Sequence, residues 1–458
     1  MTAAGGARAA VDEAEALAAD ALRWLLRCAR QVDGDGLAWA GTPSGDEPDP
    51  ALYGGTAGIV PVLLEARRHF GDDRYGDAAL RAARSVSAAV EDCANSSLYG
   101  GLAGLAFVLR AVDDELGAPD AAGAADRALA SVRARFDGTR WGDWFDLIGG
   151  NAGIGLGALA AGDLDLAVLA VEPYLRTAER SSGNAAGVQW ESRTGWSWRY
   201  HHMSHGTLGI AYALVRIGRV AGRTDMIELA REGMAGVVAR NDAGPAGFLV
   251  PHSDPRQRHE LIERYSYGWC HGPAGDAQVF RLLRDALDET GWQGLADRCW
   301  HTLTHSGLPR RLRPGFWDNN GRCCGTAGVL ALACDRMVEQ GDRPHFARRL
   351  VTDLVSRATR DADGVRWSNL DPRSTPNSLE PRTGWAAGNA GIVRELLRFV
   401  RISRGGDPAY AVTWPDQPAV SQAGWNRTLP GQAPRAGAAV RQAGVRRAGG
   451  PASRAGSG

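Results

Sequence analysis

The chain has 458 residues, of which 44% are hydrophobic and 23% charged, a balance typical of a globular protein with a large core. Its formal net charge is zero, so the chain as a whole offers no electrostatic match to nucleic acid or to an anionic membrane. All 52 basic residues are arginines, which excludes Schiff-base lysine chemistry, a P-loop lysine and the strand lysine of kinases.

The lack of a recognisable secretory signal or membrane span, together with the cysteine usage, favours a cytoplasmic protein. The N-terminal segment lacks the apolar core of a secretory signal, and no run of about 18 apolar residues could span a bilayer. The seven cysteines are odd in number, and large cytoplasmic proteins seldom depend on disulfides. The cysteines therefore favour metal binding or catalysis.

A helix-forming segment at residues 11–30 opens the chain and precedes seven related turns. Each turn combines small residues with a Gly-x-x-Gly or closely similar pattern, and an apolar helical run follows it. The turns are GGTAG from residue 54, GGLAG from 100, GGNAG from 149, HGTLG from 205, HGPAG from 271, CGTAG from 324 and AGNAG from 387. Recurrence at intervals of roughly 50 residues indicates a repeat architecture.

Each repeat predicts two helices, a nearly apolar one directly after the turn and an amphipathic one beyond it. No stretch shows a convincing strand alternation. An apolar helix must be buried, whereas an amphipathic one can face solvent. The sequence therefore predicts an all-α fold, an α/α toroid (barrel) of seven helix-pair repeats with an inner and an outer helix ring. Residues 11–30 would supply the outer helix that precedes the first turn.

A turn into a tightly packed inner helix is expected to need a positive φ and close backbone approach, and in the turns at 54, 100 and 387 the glycines are expected to serve packing only. All seven turns should then lie at one mouth of the toroid, where the free N–H groups of the helix N-termini favour an anion. Two longer spacers, 181–204 and 251–268, lead into turns that carry reactive residues. They form either a wall that receives a substrate or ordinary surface loops.

The composition changes near Trp414. Residues 414–458 are rich in Gly, Pro, Ala and Ser, and six arginines with no acidic residue follow Asp416. We therefore predict one toroid domain at 1–413 and a disordered tail at 414–458. The tail is either a solvated extension or a weak contact site for an acidic partner.

Reactive side chains replace small residues in the later turns. Cys270, Cys323 and Cys324 predict a three-thiolate Zn2+ site, because zinc accepts tetrahedral sulfur ligands and adjacent cysteines form a disulfide only with strain. His271 is an alternative ligand. An open fourth position would suit a thiol substrate, because coordination deprotonates a thiol. The remaining cysteines are expected to be core or surface thiols within helical runs: Cys28, Cys93, Cys299 and Cys334.

His205 begins the fourth turn, at the same mouth as the cysteines. The helix N-terminus disfavours its charged form and the ligand charge of the zinc site favours it, a balance that suits acid–base work near neutral pH. A structural histidine is the alternative. Asp146, just before the third turn, either orients a histidine or caps the inner helix. His201 and His202 lie outside the register of the turns and are expected at the surface.

The segments SHGTLGI, GWCHGPAG, RCCGTAG and GWAAGNAGI, together with the seven turns, resemble the LanC-like lanthionine cyclases over about residues 40–400. The resemblance implies an α/α toroid with zinc at its mouth, which adds a peptide cysteine thiol to dehydroalanine or dehydrobutyrine to form a thioether ring. It places the zinc ligands on Cys270, Cys323 and Cys324, the acid–base histidine on His205 and the acidic residue on Asp146. The implied partners are a dehydrated precursor peptide and a separate dehydratase.

One departure and two rival functions accompany this resemblance. Stand-alone cyclases usually carry Cys-His where this chain has Cys323-Cys324, which keeps zinc binding and leaves substrate range and ring selectivity open. A LanC-like protein could instead add a small thiol such as glutathione to dehydrated proteins, or serve as a non-catalytic peptide-binding module that carries zinc. An α/α-barrel glycosidase would need paired carboxylates at the mouth, whereas only Asp146 lies just ahead of a turn.

Overall fold

A computed structural model describes the chain in six stretches. They cover residues 3–181, 187–257, 263–287, 289–310, 319–371 and 375–418. Fifteen α-helices and eight short strands lie within them. No helix in these six stretches is long and apolar enough to cross a bilayer. The described chain is predominantly helical, as the sequence predicts.

The helices follow one another along the chain in a regular order. They are α1 (Ala3–Arg27), α2 (Thr56–Phe70), α3 (Asp73–Ala88), α4 (Leu102–Leu116), α5 (Pro119–Ala134), α6 (Asn151–Ala160), α7 (Leu164–Val171), α8 (Pro173–Thr177), α9 (Thr207–Ala221), α10 (Thr224–Val238), α11 (Pro273–Leu287), α12 (Thr290–His305), α13 (Thr326–Glu339), α14 (His345–Arg357) and α15 (Asn389–Ser403). Seven of them begin at the glycine turns: α2, α4, α6, α9, α11, α13 and α15.

These seven helices form a closed inner ring. Each packs against the next one, and α15 packs against α2 to close the circle. Their burial follows from their composition: α2 is buried without interruption from Thr56 to Ala66, a stretch that is apolar apart from Thr56 and Glu65. Closure buries the apolar sides of every inner helix without capping repeats.

The amphipathic helices form the outer ring. The outer helices α3, α5, α7, α10, α12 and α14 each pack against the inner helix that precedes them. In α3 the buried residues Ala79, Ala82, Ala83 and Val86 recur three and four positions apart, as expected for a helix with one face on the core. Helix α1 packs against α15 and completes the seventh pair. The predicted α/α toroid of seven helix pairs is confirmed.

Buried charges also occur on the inner helices, where they pair with one another. Arg281 in α11 lies 2.6 Å from Asp335 in α13, and Arg398 in α15 lies 2.6 Å from the other oxygen of the same carboxylate. Arg281 also pairs with Glu339 on α13, so the two guanidinium groups are matched by two carboxylates. These ion pairs link three adjacent inner helices, two of which follow the turns that carry cysteines.

Eight short strands lie in the connections, where the sequence predicts none. They are β1 (Arg30–Val32), β2 (Gly36–Ala38), β3 (Glu179–Ser181), β4 (Gly187–Gln189), β5 (Arg199–Tyr200), β6 (Ser253–Asp254), β7 (Thr359–Asp361) and β8 (Gly364–Arg366). They form four antiparallel pairs, β1–β2, β3–β4, β5–β6 and β7–β8. Strands of two or three residues are too short to show a recognisable alternation. The β5–β6 pair joins the two long spacers, with Tyr200 opposite Ser253.

Close backbone approach, and not a positive φ, explains the turn glycines. Gly206, directly before α9, has a φ of −115°, which any residue adopts. A Cβ on Gly209 would lie only 2.0 Å from the Met203 carbonyl oxygen. Positive φ occurs instead where helices end, as at Gly222 after α9 with a φ of 68°. The expectation of positive φ in the turns is therefore wrong for this turn, whereas the packing argument holds.

Gly209→Ala is expected to destabilise the fold by about 3 kcal/mol, because the added methyl group has no room beside a carbonyl oxygen. Gly294→Ala in α12 is the matched control, since a Cβ there meets no atom within 4 Å and alanine is the better helix former. Urea unfolding of both variants and the parent protein measures the difference. Equal stability of the two variants would contradict the packing explanation.

After α15 the chain turns back into the toroid. Trp414 is fully buried, and the Tyr99 hydroxyl donates a hydrogen bond to Asp416 over 2.7 Å. Burial raises the pKa of the Asp416 carboxyl to about 6. The packed chain thus continues at least to Gln417, which is also buried and lies beyond the predicted boundary at 413. The later part of the predicted tail, from residue 419, lies outside the described residues.

Candidate metal centre

The residue directly before each turn motif, here called the leading residue, links the turns to one another through backbone hydrogen bonds. The leading residues are Tyr53, Tyr99, Ile148, Ser204, Cys270, Cys323 and Ala386. Backbone N–H groups donate to neighbouring leading carbonyls over 2.8–3.2 Å, from Ile148 to Ser204, Ser204 to Cys270, Cys270 to Cys323, Cys323 to Ala386, Ala386 to Tyr53 and Tyr53 to Tyr99. Residues of all seven turns line one cavity of about 940 Å³. The turns therefore meet at one mouth, as expected.

Cys270, Cys323 and Cys324 lie together at this mouth. The Cys324 sulfur is 3.5 Å from that of Cys270 and 3.3 Å from that of Cys323. Tetrahedral zinc with Zn–S bonds near 2.3 Å spaces its sulfurs by about 3.8 Å, so the observed spacing needs only a small expansion. Among the described residues, these form the one group of three His, Cys, Asp or Glu side chains whose ligand atoms all lie within 4.8 Å of one another. The donor set fits a zinc ion with one open position.

The surroundings favour an anionic sulfur at Cys323. Hydrogen bonds from Cys270 and Cys324 hold the pKa of the Cys323 thiol well below its ordinary value. Burial raises the pKa of the Cys270 thiol. The Tyr53 hydroxyl donates a further hydrogen bond to the Cys323 sulfur over 3.3 Å. Cys323 is therefore a sulfur that accepts hydrogen bonds from both a neighbouring thiol and a tyrosine hydroxyl.

A buried ion pair anchors the turn that carries Cys323. The guanidinium of Arg322 donates from Nε to Glu395 on α15 over 3.1 Å, and both residues are buried. The Tyr410 hydroxyl donates to the same carboxylate over 2.6 Å. Because Glu395 binds both the Arg322 guanidinium and the Tyr410 hydroxyl, it connects the turn to α15 and to the segment that follows α15.

The other four cysteines take no part in the cluster. Cys299 and Cys334 are buried in α12 and α13, and burial raises the pKa of Cys334 to about 12. Cys28 and Cys93 are half-buried and lie in connections, although helical positions are expected for them. All four are core or partly exposed thiols, as the sequence predicts.

His205 and Asp146 form a hydrogen-bonded pair in the same part of the molecule. His205 Nδ1 lies 2.5 Å from Asp146 Oδ2, and Asp146 is fully buried. The second oxygen of Asp146 accepts from the Gly149 amide over 2.7 Å, so this carboxylate both caps the third turn and orients the histidine. His205 lines the cavity with 27% of its side chain exposed. Because Nδ1 is engaged, Nε2 is the nitrogen that can exchange a proton with a ligand.

His271 also lines the cavity but lies outside the cysteine group. Its Nε2 is 3.1 Å from Ser204 Oγ, and its ring lies 3.9 Å from that of His252, centroid to centroid. Burial holds the pKa of His271 well below its usual range and lowers that of His252 to about 3. His271 is therefore buried beside the cysteine group and is not one of the residues whose ligand atoms cluster with the sulfurs.

His201 and His202 are buried, contrary to the expected surface positions. His202 Nδ1 lies 2.9 Å from Asp276 Oδ2 on α11, and this carboxylate is fully buried as well. Burial lowers the pKa of His201 to about 3. The partner of His202 lies 74 residues further along the chain, so no local pattern could reveal that this end of the spacer packs inside.

Aromatic side chains flank the His205–Asp146 pair. The Trp144 ring lies 5.3 Å from the His205 ring and 5.3 Å from the Trp196 ring, centroid to centroid. Trp198 stacks on Trp196, and the Arg193 guanidinium lies 5.1 Å above the Trp144 ring. We call Trp144, Trp196 and Trp198 the aromatic wall. Of its three rings, Trp144 lines the cavity.

Sequence reasoning missed three residues that shape the site: Tyr53, Arg322 and Trp144. A signal exists for Tyr53, because Leu-Tyr-Gly-Gly occurs at both the first and second turns. The tyrosine there occupies the same position as the cysteine in later turns. Arg322 and Trp144 carry no such signal, since their partners come from other repeats.

Comparison with known proteins places the chain in a family. The model of lanthionine synthetase C-like proteins matches residues 46–260 and 257–348. Nisin cyclase superposes with a TM-score of 0.60 at 15% identity, covering 81% of this chain and 92% of that one. The Lin0763 protein from Listeria innocua superposes less well, with a TM-score of 0.43 at 13% identity, covering 65% of this chain and 83% of that one. An unsaturated glucuronyl hydrolase specific for heparin superposes with a TM-score of 0.45 at 11% identity, covering 86% of this chain and 98% of that one. No curated protein sequence matches the chain.

The likeness to nisin cyclase supports the toroid fold, and at this identity it supports the fold alone. The family match carries more, because it spans over half of the chain. It also includes the turns that hold His205 and the three clustered cysteines. The chain therefore belongs to the lanthionine synthetase C-like family.

Proposed function

We propose that this protein is a zinc-dependent lanthionine cyclase, which adds peptide cysteine thiols to dehydroalanine or dehydrobutyrine and forms thioether rings. The observation that carries the proposal is the grouping of the Cys270, Cys323 and Cys324 sulfurs in the cavity that also contains His205. Family membership and the likeness of the fold to nisin cyclase add support.

The three cysteines would hold the zinc ion. When bound, zinc supplies the Lewis acidity that converts a peptide thiol into a thiolate near neutral pH. Three thiolate ligands carry more negative charge than the ion carries positive charge. This ligand set therefore favours an electron-rich, nucleophilic substrate sulfur.

His205 is assigned the proton transfer at its Nε2 atom. When the peptide thiolate adds to the β-carbon, an S–C bond forms and the electron pair of the double bond moves toward the α-carbon as an enolate. The proton lost by the peptide thiol is taken up at His205 Nε2 and then returned to the α-carbon, which completes the thioether product. The Asp146 carboxylate, hydrogen-bonded to Nδ1, fixes the histidine tautomer and stabilises its charged form.

The substrate in this proposal is a dehydrated precursor peptide made by a separate dehydratase in the cytoplasm. The cavity of about 940 Å³ is large enough for a peptide segment. The aromatic wall lies beside His205 and offers apolar rings for that segment. The wall would hold the dehydro residue within reach of the histidine.

The proposal is tested by incubating the zinc-loaded protein with a peptide that contains one dehydroalanine and one cysteine. Ring closure leaves the peptide mass unchanged, so the measurement is thiol alkylation followed by mass spectrometry. We expect the peptide to lose its alkylatable thiol and to resist fragmentation inside the ring. Elemental analysis of the same preparation should find about one zinc per chain.

A parallel reaction with glutathione separates the alternative activities. A dehydroalanine peptide that gains the mass of one glutathione, without internal ring closure, would identify small-thiol addition. Peptide binding with an unchanged thiol would identify a binding module. Either result would replace the cyclase proposal.

A further inference from the structure

Tyr53 occupies the leading position of the first turn, the position that Cys270 and Cys323 occupy in their turns. The backbone hydrogen bonds between leading residues place Ala386 between Tyr53 and Cys323, with one amide-to-carbonyl hydrogen bond on each side of it. The Ala386 side chain is a single methyl group and is fully buried. The tyrosine hydroxyl therefore reaches past it and lies 3.3 Å from the Cys323 sulfur.

The ring of Tyr53 is held by its neighbours before any ligand binds. It packs edge-on against Tyr99, with centroids 6.0 Å apart. Tyr99 in turn stacks on Trp385 at 5.5 Å and donates its hydroxyl to Asp416. Because this packing fixes the ring, little side-chain entropy is lost when the hydroxyl donates to sulfur.

A chemical problem arises at this cluster if the proposed cyclase reaction takes place there. The electrophilic dehydro residue would lie beside three cysteine thiolates, and each of them is itself a nucleophile. Attack by a ligand sulfur would form an S–C bond to the β-carbon and destroy the site. A hydrogen bond to a thiolate withdraws charge from the sulfur and makes it a poorer nucleophile.

We propose that Tyr53 is a positioning residue whose hydroxyl donates to the Cys323 sulfur and makes this ligand less nucleophilic than the substrate thiol. A phenol hydroxyl carries its proton at neutral pH, so it acts as a donor. The inference rests on the proposed function, because a less nucleophilic ligand is an advantage only if the cyclase reaction takes place at this site. The hydrogen bond and its effect on sulfur reactivity are measurable without any cyclase activity.

The test compares Tyr53→Phe with the parent protein, both zinc-loaded and full length. A lone electron pair of a cysteine sulfur attacks iodoacetamide, which forms an S–C bond and releases iodide. Peptide mapping by mass spectrometry then gives the labelling rate of each cysteine. We expect Cys323 to label roughly tenfold faster in the variant, the effect of one charge-assisted hydrogen bond. Zinc content and the labelling of Cys270 should stay unchanged.

Tyr99→Phe is the matched control. This tyrosine occupies the same leading position in the second turn, but its hydroxyl bonds Asp416 and not a sulfur. We expect parent-like labelling of Cys323 in this variant. In the cobalt-substituted protein, Tyr53→Phe should also shift the sulfur-to-cobalt charge-transfer band to lower energy, whereas Tyr99→Phe should leave it in place.

Two results would overturn the inference. One is an unchanged Cys323 labelling rate together with an unchanged cobalt spectrum in Tyr53→Phe. The other is faster labelling of all three cysteines with loss of zinc, which would make Tyr53 a general structural support. Failure of the cyclase assay alone, with selective labelling of Cys323 retained, would instead count against the proposed function.

Discussion

Cys270→Ala or Cys323→Ala is expected to remove bound zinc and ring closure together. Each side chain supplies one of three sulfurs, and all three lie within 4.8 Å of one another. Loss of one leaves two thiolates, which cannot complete a stable site with an open position. The fall in zinc affinity should exceed the roughly 10- to 100-fold loss typical of removing an outer hydrogen-bond partner of a metal ligand. Elemental analysis and the peptide thiol assay measure the two effects.

Cys334→Ala provides the matched control for these variants. Cys334 is also a buried cysteine, in the helix that follows the Cys323–Cys324 turn, but it is not in the sulfur group. Removing it should lower stability modestly and leave zinc content and ring closure at parent levels. Parent-like zinc content and activity in Cys270→Ala would refute the metal assignment.

His205→Ala is expected to keep its zinc and to slow ring closure by about 10²- to 10⁴-fold, the usual contribution of a positioned acid or base. The histidine is not among the clustered metal ligands, and its bond to buried Asp146 links it to proton transfer. Asp146→Asn should also slow the reaction, because an amide can favour the wrong histidine tautomer. Zinc analysis and single-turnover ring closure separate metal binding from the chemical step.

The double variant His205→Ala/Asp146→Asn distinguishes a working pair from two independent residues. If Asp146 acts through His205, the double variant should be no slower than His205→Ala alone. His301→Ala, an exposed histidine on α12, should have no effect and serves as the control. Rates that multiply in the double variant, or zinc loss in His205→Ala, would contradict the assigned roles.

The candidate site could be located from sequence because its chemistry sits in the repeat register. His205 and Cys324 stand where the first three turns have glycine, and Cys270 and Cys323 stand in the leading position directly before it, so one repeat pattern predicts that they meet. The structure brings them to one cavity. Asp146 is found by the same argument, since it lies just ahead of a turn and reaches His205 directly.

Residues outside that register could not be placed. His202 is predicted at the surface but pairs with Asp276 in the interior. No pattern in the sequence singles out Arg322, yet its guanidinium binds Glu395 on another repeat. The segment around Trp414 has the composition of a tail and still packs into the toroid. In each case the partner lies in a distant part of the chain, where no local periodicity applies.

Periodic glycine turns and alternating apolar and amphipathic helices are local properties, and they suffice to predict a closed ring of helix pairs with one reactive mouth. Local pattern cannot specify which side chains cross from one repeat to another. The hydrogen bond from Tyr53 to Cys323 joins two turns whose residues lie 270 positions apart in the chain. Such contacts arise only when the inner helices pack against one another, so the tertiary structure alone decides which sulfur carries a hydrogen bond.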